Sequence, residues 1–168
     1  AHQRWNASLA YEVVKRLSAM HSFPLDKAAE GFSCAVWPAR LQFVPELRLI
    51  IDGAHNPEGA QVLYESLAEL FPGRKFDFIY GTFADKDCTA FLSTIAPLAK
   101  SFAFVKIHSQ RPSREASELE KIILENSPPG HIIPCRASDL SSELEKRKNE
   151  VSGNSSGTDW KILCGSLY

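Results

Sequence analysis

The chain has 168 residues, of which 44% are hydrophobic and 23% are charged, and its formal net charge is −1. This composition predicts one folded domain of ordinary size together with an appendage. The low net charge gives no electrostatic reason to expect nucleic acid or an anionic membrane as a partner. No apolar run approaches the roughly 20 residues that a transmembrane helix needs.

The cysteines and the first residues indicate the cellular setting. The four cysteines include no C-x-x-C pair, so we expect no zinc site and four free thiols in a reducing cytoplasm. Residues 1–6 include no methionine and do not follow the pattern of a signal peptide. We therefore expect a piece of a longer cytoplasmic protein.

The first forty residues are predicted to form a helical appendage and a linker. Residues 3–19 show a helical period whose apolar face contains Leu9, Val13, Val14 and Leu17. The prolines and the glycine that follow predict a short helix near Leu25–Glu30 and an extended segment over Trp37–Val44. We divide the chain into residues 1–40 and 41–168.

From residue 47 onward, strands and helices are predicted to alternate. Strands are expected over 47–51, 76–80, 101–107, 131–135 and 160–164, and helices over 57–71, 88–98, 114–126 and 138–148. The last of these helices is strongly charged and is expected to face solvent on most sides. Strands that alternate with helices of this length predict βαβ units and a largely parallel sheet, so the fold class is α/β.

A polar turn after the first predicted strand is the strongest candidate site. Asp52, His55 and Asn56 follow three apolar residues, and Pro57 then opens a helix. Ligands of open α/β sheets bind at the carboxyl ends of strands, and a helix N-terminus suits a carboxylate or a phosphate. The alternative is that Asp52 accepts hydrogen bonds only from turn N–H groups, and that His55 caps the helix or lies on the surface.

Further candidate residues lie in the linker and after later strands. The Arg40 guanidinium suits a phosphate, or it is a solvated charge beside a buried Trp37. Lys86 suits a carboxylate or a phosphate, or its loop is an ordinary helix start with Asp85 or Asp87 as the N-cap. Residues 108–114 contain two arginines and a histidine, for which solvated charge is the default interpretation.

Two further loop positions can be interpreted from their place next to a predicted helix or strand. Ser113 has the type and position of an N-cap for the next helix. Gly165-Ser166 ends the last strand and allows the backbone to approach a ligand, or simply makes a turn. The chain contains neither G-x-x-x-x-G-K-[ST] nor G-x-G-x-x-G, so a phosphate cradle for ATP would have to come from elsewhere.

Several of these motifs together resemble one family. Residues 51–57 resemble the D-G-A-H-N-P signature of folylpolyglutamate synthase/dihydrofolate synthase. Further matches follow in the family's order: H-Q-x-x-N-A at residues 2–7, W-P-G-R at 37–40, G-x-x-x-D-K-D at 81–87, loosely P-R-A at 112–114, and G-S-L-Y at 165–168.

The resemblance implies a fold and an activity. The family is related to the Mur ligases, and its C-terminal domain is a Rossmann-like, three-layer α/β domain with a mostly parallel sheet of about six strands. The full enzyme uses ATP and Mg²⁺ to activate a carboxylate as an acyl phosphate, which the amine of glutamate attacks. Residues 1–40 would then be a remnant of the central ATPase domain, and residues 41–168 the C-terminal, glutamate-ligase domain.

The resemblance also implies partners. Glutamate and folate or dihydropteroate are the expected small-molecule substrates, and the central domain of the same chain is the expected protein partner. Neither nucleic acid nor a membrane is expected. Because the P-loop and the metal contacts would lie in the missing part, we expect the fragment alone to be inactive.

The resemblance assigns roles to single residues. His55, Arg40 and Asp52 match catalytic positions, and Asn6, Arg40 and Asp52 match ATP contacts outside the P-loop. The residues that match substrate-binding positions are His55, Asn56, Lys86 and Ser166. No residue of this chain is expected to bind a metal. Arg40 and donors near His55 would stabilise the negative charge that develops during acyl transfer.

One departure from the family pattern keeps alternatives open. Ala39 stands where the family has glycine, and alanine resists the positive φ that glycine accepts. A non-catalytic module that binds a nucleotide or an amino acid is therefore one alternative. A Mur-type ligase acting on a cell-wall precursor is another, although Ile51-Asp52-Gly53 favours the folate branch over the Asp-Asp-Tyr-Ala-His of those enzymes.

Overall fold

The computed structural model describes residues 2–22, 24–126, 133–153 and 159–166. The chain forms two compact units, Ala1–Trp37 and Pro38–Tyr168. In the first unit, α1 (His2–His21) and α2 (Asp26–Cys34) contact each other through Tyr11 and Phe32, whose ring centroids are 6.4 Å apart. Leu9, Val13 and Leu17 on α1 are exposed within this structure.

The second unit is an α/β domain. Its strands are β1 (Gln42–Val44), β2 (Leu49–Asp52), β3 (Phe76–Gly81), β4 (Ala99–Val105), β5 (Cys135–Ser138) and β6 (Lys161–Gly165). Its helices are α3 (Pro57–Leu70), α4 (Cys88–Ile95), α5 (Ala116–Asn126) and α6 (Leu140–Ser152). The prediction of strands that alternate with helices is confirmed.

The six strands form one sheet in the order β1-β2-β6-β3-β4-β5. Only β1 and β2 pair in antiparallel orientation, and the other neighbours are parallel. The last strand, β6, therefore lies between β2 and β3. This order brings the carboxyl ends of β2, β6 and β3 next to one another, although β6 is far from the other two in the sequence.

The two faces of the sheet bury different apolar clusters. One face packs against α3, α4 and α5, and its core includes stacked rings of Tyr80 and Phe91 with centroids 4.7 Å apart. Phe91, Leu92 and Ile95 of α4 are fully buried there, as their spacing predicts. The other face packs against α6 through Leu140 and Leu144. The three-layer, mostly parallel architecture predicted for the domain is confirmed.

The last helix faces solvent on most sides, as predicted for residues 138–148. The prediction did not include its two buried charged residues, Glu143 and Arg147 of α6, which are 3% and 1% exposed. Glu143 accepts hydrogen bonds from the Arg136 guanidinium at 2.6 and 3.2 Å and from the Ser138 hydroxyl at 2.8 Å. These charged side chains can be buried because groups on other elements, some of them far away in the sequence, form hydrogen bonds with them.

Some element boundaries also differ. The segment expected to be extended over Trp37–Val44 is a strand only from Gln42, because Ala39 and Leu41 adopt positive φ angles of 54° and 46°. The strand predicted over 131–135 begins at Cys135, and residues 131 and 132 lie outside the described part. No helix among the described residues is both long and apolar enough to cross a membrane.

Candidate functional site

Backbone hydrogen bonds join the carboxyl ends of β2, β6 and β3. The Gly165 N–H donates to the Ala54 carbonyl and the Ser166 N–H donates to the Gly81 carbonyl, both at 2.9 Å. Gly165 has a φ of +111°, and a Cβ atom built there would lie 2.0 Å from the Gly81 carbonyl oxygen. Only glycine fits this position, because both the backbone conformation and the close approach exclude a side chain.

Asp52 joins the linker to the turn that follows β2. Its Oδ2 accepts a hydrogen bond from the Leu41 N–H at 2.8 Å, and its Oδ1 accepts one from the Ala54 N–H at 2.9 Å. The Gly53 N–H donates to the Ala39 carbonyl at 2.7 Å. The alternative in which Asp52 accepts backbone hydrogen bonds therefore describes its contacts in this structure, and a nucleotide contact stays a prediction.

The linker residue Ala39 adopts the left-handed conformation that its replacement of glycine was expected to resist. Its φ is +54°, and its N–H donates to Oε1 of Gln42 at 3.1 Å. Such a conformation costs alanine roughly 1 kcal/mol, which the hydrogen bonds at Gln42 and Gly53 offset. Alanine at position 39 is thus compatible with a left-handed turn directly before Arg40.

Arg40 lies on the surface at this turn. Its Nη1 is 3.5 Å from the carbonyl oxygen of Ala39, and it pairs with no carboxylate among the residues that the structure describes. Trp37 is 75% exposed, so the alternative in which this tryptophan is buried is wrong. The guanidinium remains accessible to an anion.

His55 and Asn56 occupy the start of α3. The Nδ1 atom of His55 lies 2.9 Å from the Gly53 carbonyl oxygen, and because a carbonyl only accepts, Nδ1 is the protonated nitrogen. Oδ1 of Asn56 accepts a hydrogen bond from the Gly59 N–H at 2.8 Å, which makes Asn56 the N-cap of α3. A Cβ atom on Gly59 would lie 2.8 Å from that oxygen.

Lys86 lies in the loop between β3 and α4. The residue is half-buried, and its ammonium forms no hydrogen bond or ion pair with any residue in the described ranges. Asp87 caps α4, since its Oδ1 accepts a hydrogen bond from the Ala90 N–H at 3.0 Å. The prediction of an N-cap at Asp85 or Asp87 is confirmed for Asp87, and a role of Lys86 in binding an anion is compatible with it.

The loop after β4 contacts the Lys86 loop. Ser113 was predicted to cap α5, but this helix begins only at Ala116, and Ser113 forms an isolated antiparallel bridge with Phe83. The cap prediction is wrong because pairing with the neighbouring loop fixes the backbone of Ser113. The Ser113 Oγ and the Arg114 Nε are buried atoms without a hydrogen-bond partner in the structure.

Ser166 follows the end of β6, beside Gly81. The residue is 4% exposed, and its Oγ is buried without a hydrogen-bond partner. The structure thus brings Ser166, the turn at Asp52–His55 and the loop after Gly81 to one edge of the sheet. Asn6, the remaining candidate, lies on α1 in the other compact unit.

A family comparison identifies this domain. The family model for the glutamate ligase domain of Mur ligases matches residues 39–166. The chain belongs to the Mur ligase family. The matched range contains the whole sheet and every candidate residue except Asn6.

Individual relatives of this Mur ligase domain are folate enzymes. The dihydrofolate synthase/folylpolyglutamate synthase of Bacillus subtilis is 28% identical over 99% of this chain, which spans 37% of that protein. The crystal structure of folylpolyglutamate synthase from Thermotoga maritima matches 99% of the chain with a TM-score of 0.73 and 24% identity, over 36% of its own length.

A third comparison concerns a solved complex. A bifunctional folylpolyglutamate synthase/dihydrofolate synthase with Mn, AMPPNP and L-glutamate bound matches 90% of this chain, with a TM-score of 0.65 and 26% identity. This chain spans 35% of that protein. The chain therefore spans little more than a third of the length of each of these three proteins.

Two features of the Mur ligase domain escaped the sequence analysis. Gln42 fixes the linker turn, and Arg111, which was interpreted as solvated charge, contacts Asp85 at 2.8 Å and the ring of Phe83. Arg111 and Asp85 are 26 positions apart, and neither residue type has a local pattern that signals the pair. In the described ranges, no group of three or more His, Cys, Asp or Glu could hold a metal ion.

Two of the cysteines are buried in the core of the domain. All four cysteines are free, and Cys88 and Cys164 are buried. Burial, together with the nearby Asp52 carboxylate, raises the pKa of Cys164 well above its usual value. Burial also raises the pKa of Cys88, although the Arg114 guanidinium opposes this shift. Both thiols therefore stay protonated near neutral pH, and they act as small apolar groups in the core.

Proposed function

We propose that this chain is the C-terminal domain of an ATP-dependent ligase that joins glutamate to dihydropteroate, to folate or to both. Membership of the Mur ligase family and the similarity to folylpolyglutamate and dihydrofolate synthases support this proposal. The observation on which it depends most is the convergence at one sheet edge of the His55 turn, the Lys86 loop and Ser166.

Lys86 and Ser166 are the proposed contacts for the incoming glutamate. The Lys86 ammonium has no partner among the described residues and suits a carboxylate, and the unpartnered Ser166 hydroxyl can donate to a second oxygen. A ligand that supplies these hydrogen bonds would remove the cost of burying the Ser166 hydroxyl without a partner. Asn56, as the cap of α3, shapes the turn beside them.

His55 is the proposed group near the amine of glutamate and the phosphate in transit. Because Nδ1 is directed to the Gly53 carbonyl, the ring orientation is fixed, and proton transfer would involve Nε2. Arg40 and the N–H donors at the start of α3 would stabilise negative charge that develops on the reacting carbonyl. Holding the amine close to the activated carbonyl is an orientation effect that depends on domain closure.

Asp52 and Arg40 fit part of a nucleotide site. Each carboxylate oxygen of Asp52 accepts one backbone N–H, and an oxygen with two lone pairs can accept a second hydrogen bond, for example from a ribose hydroxyl. The exposed Arg40 suits a phosphate. Bound ATP with a divalent metal would supply the chemistry that activates the carboxylate as an acyl phosphate. The triphosphate cradle itself is not in this chain.

We also propose that residues 1–40 belong to the central ATPase domain, with Asn6 as an ATP contact, and that residues 41–168 are the glutamate-ligase domain. The exposed apolar side chains of α1, among them Leu9 and Val13, support a position against protein that this chain does not include. Without that protein, the 168-residue chain is expected to have no ligase activity.

The test is ligation by the full-length protein with the substitution His55→Ala. With glutamate and pteroate or folate, we expect the rate to fall by roughly 10²- to 10⁴-fold, the usual contribution of a proton-transfer group. Thermal unfolding should remain unchanged. His21→Ala, at an exposed position at the end of α1, is the matched control and should retain the wild-type rate.

Two results would contradict the proposal. An unimpaired His55→Ala enzyme would make this histidine structural only. Ligation with nucleotide-linked sugar acids in place of pteroate or folate would assign the protein to cell-wall synthesis. Ligation by the pure 168-residue chain would refute only its expected inactivity.

A further inference from the structure

The loops after β3 and β4 are joined through their backbones. Phe83 and Ser113 form an antiparallel bridge, the Ala84 N–H donates to the Pro112 carbonyl at 2.9 Å, and the Arg114 N–H donates to the Thr82 carbonyl at 3.0 Å. The segment that leads to Lys86 is therefore supported along its length by the segment that follows Arg111. This pairing fixes where the two loops lie relative to each other.

Arg111 adds two side-chain contacts to this pairing. Its guanidinium carbon lies 4.3 Å from the centroid of the Phe83 ring, and its Nη2 lies 2.8 Å from Oδ2 of Asp85. Phe83 is 7% exposed, so the ring gives the guanidinium a fixed surface. A planar guanidinium can stack on a ring and pair with a carboxylate at once, which the ammonium of lysine does less well.

The two acidic neighbours of Lys86 are both engaged elsewhere. Asp87 uses Oδ1 to cap α4, and Asp85 pairs with Arg111. Lys86, which lies between them in the sequence, is left without an ion pair in the described part of the chain. Asp85 and Asp87 are the carboxylates next to Lys86 in the sequence, and an unengaged carboxylate beside a lysine competes with a ligand for its ammonium.

We propose that Arg111 is a positioning residue that holds Asp85 away from Lys86, so that the Lys86 ammonium stays available to a carboxylate of the substrate. The inference deepens the proposed function and depends on it for the identity of that substrate. Arg111 touches neither substrate nor reacting atoms in this role. It acts through Asp85 and through the position of the loop.

The first experiment measures the acylation rate of Lys86 in the 168-residue chain, using an amine-reactive ester and peptide mass spectrometry. In Arg111→Ala, Asp85 is released and pairs with Lys86, so we expect acylation to slow by roughly twofold to fivefold. Adding Asp85→Asn should restore the wild-type rate, because no competing carboxylate remains. Arg74→Ala is the control, since Arg74 is also an exposed arginine that faces an aspartate, Asp159, at 3.8 Å.

The second experiment uses steady-state kinetics of the full-length ligase. Arg111→Ala should raise KM for glutamate by roughly twofold to fivefold while kcat stays near the wild-type value. Arg111→Ala with Asp85→Asn should recover the KM, and Arg111→Lys should recover part of it. A mere loosening of the loop would not be rescued by Asp85→Asn.

The outcomes separate the two proposals. Unchanged acylation of Lys86 in Arg111→Ala, or slow acylation that Asp85→Asn does not rescue, overturns the role of Arg111 whatever the enzyme ligates. If acylation behaves as expected but Lys86→Ala leaves KM for glutamate unchanged, the role of Arg111 stands and the substrate contact proposed for Lys86 fails.

Discussion

The two edges of the sheet differ in how their polar side chains are satisfied. At the amino edge, where β2 and β6 begin, the buried guanidinium of Arg147 donates to the carbonyls of Leu47 at 2.7 Å, Arg48 at 3.1 Å and Asp159. It also pairs with Glu150 at 3.1 Å. Each of the three guanidinium nitrogens of Arg147 therefore donates to at least one acceptor.

At the carboxyl edge, Asp52, Asn56 and Asp87 accept backbone hydrogen bonds, but several other polar side chains have no partner. Ser166 Oγ and Arg114 Nε are buried without partners, and Lys86 and Arg40 pair with no carboxylate of the described residues. Each buried polar group without a partner costs about 1–3 kcal/mol. The contrast indicates that the amino edge contributes stability, whereas the carboxyl edge contains buried polar groups that reduce it, beside the accessible cations Lys86 and Arg40.

The largest effect is expected from removing the central group of the amino edge. Arg147→Ala leaves the carbonyls of Leu47, Arg48 and Asp159 without their donor, and the free energy of unfolding should fall by roughly 3 kcal/mol or more. Chemical denaturation of the 168-residue chain measures this. Lys148→Ala, at the next, exposed position of α6, should cost far less, and equal losses would contradict the comparison.

A smaller effect of opposite sign is expected at the carboxyl edge. Ser166→Ala removes a buried hydroxyl that has no partner, so stability should rise by about 1 kcal/mol. Ser101→Ala is the control, because the Ser101 hydroxyl donates to Asp77 at 2.6 Å and its loss should destabilise by about 1 kcal/mol. Denaturation midpoints that move in the same direction would show that Ser166 is satisfied in solution.

The smallest effect concerns pH. Burial raises the pKa of Glu150, but hydrogen bonds from Lys161 and Arg147 outweigh it and hold this pKa below its usual value. A lowered carboxyl pKa gives stability that is present above the unfolded pKa of about 4.3 and is lost as pH falls through the folded value. In Glu150→Gln, the free energy of unfolding should therefore fall less steeply as the pH is lowered into the acid range. Glu145→Gln, at an exposed position of the same helix, should not have this effect.

The sequence predicted local structure where one element provides all the information. Pro57 after a polar turn predicts the start of α3, which is observed. An N-cap for α4 was predicted at Asp85 or Asp87, and Asp87 is the one observed. The signature at residues 51–57 predicted the family. By contrast, Ser113 looked like a cap, yet its partner is Phe83 on another loop, and no local rule includes that contact.

The turn at Ala39 is a second case in which contacts between distant segments override the expectation from local sequence. Alanine was expected to resist a positive φ, but it adopts +54° because Gln42 and the turn after β2 supply hydrogen bonds. The preference of alanine for negative over positive φ amounts to about 1 kcal/mol, and tertiary hydrogen bonds of similar energy reverse it. The sequence could not show whether the φ preference of alanine or the tertiary hydrogen bonds would determine the conformation of Ala39.

By itself, the sequence determined the α/β class, the succession of strands and helices and the polar turn at Asp52–His55, because these follow from periodicity and short motifs. Only the tertiary structure decided that β6 lies between β2 and β3, which places Ser166 beside Gly81. It also decided that Arg147 is buried against Leu47, 100 positions away. Strand order and the pairing of buried charges depend on contacts between distant segments, for which a local pattern contains no signal.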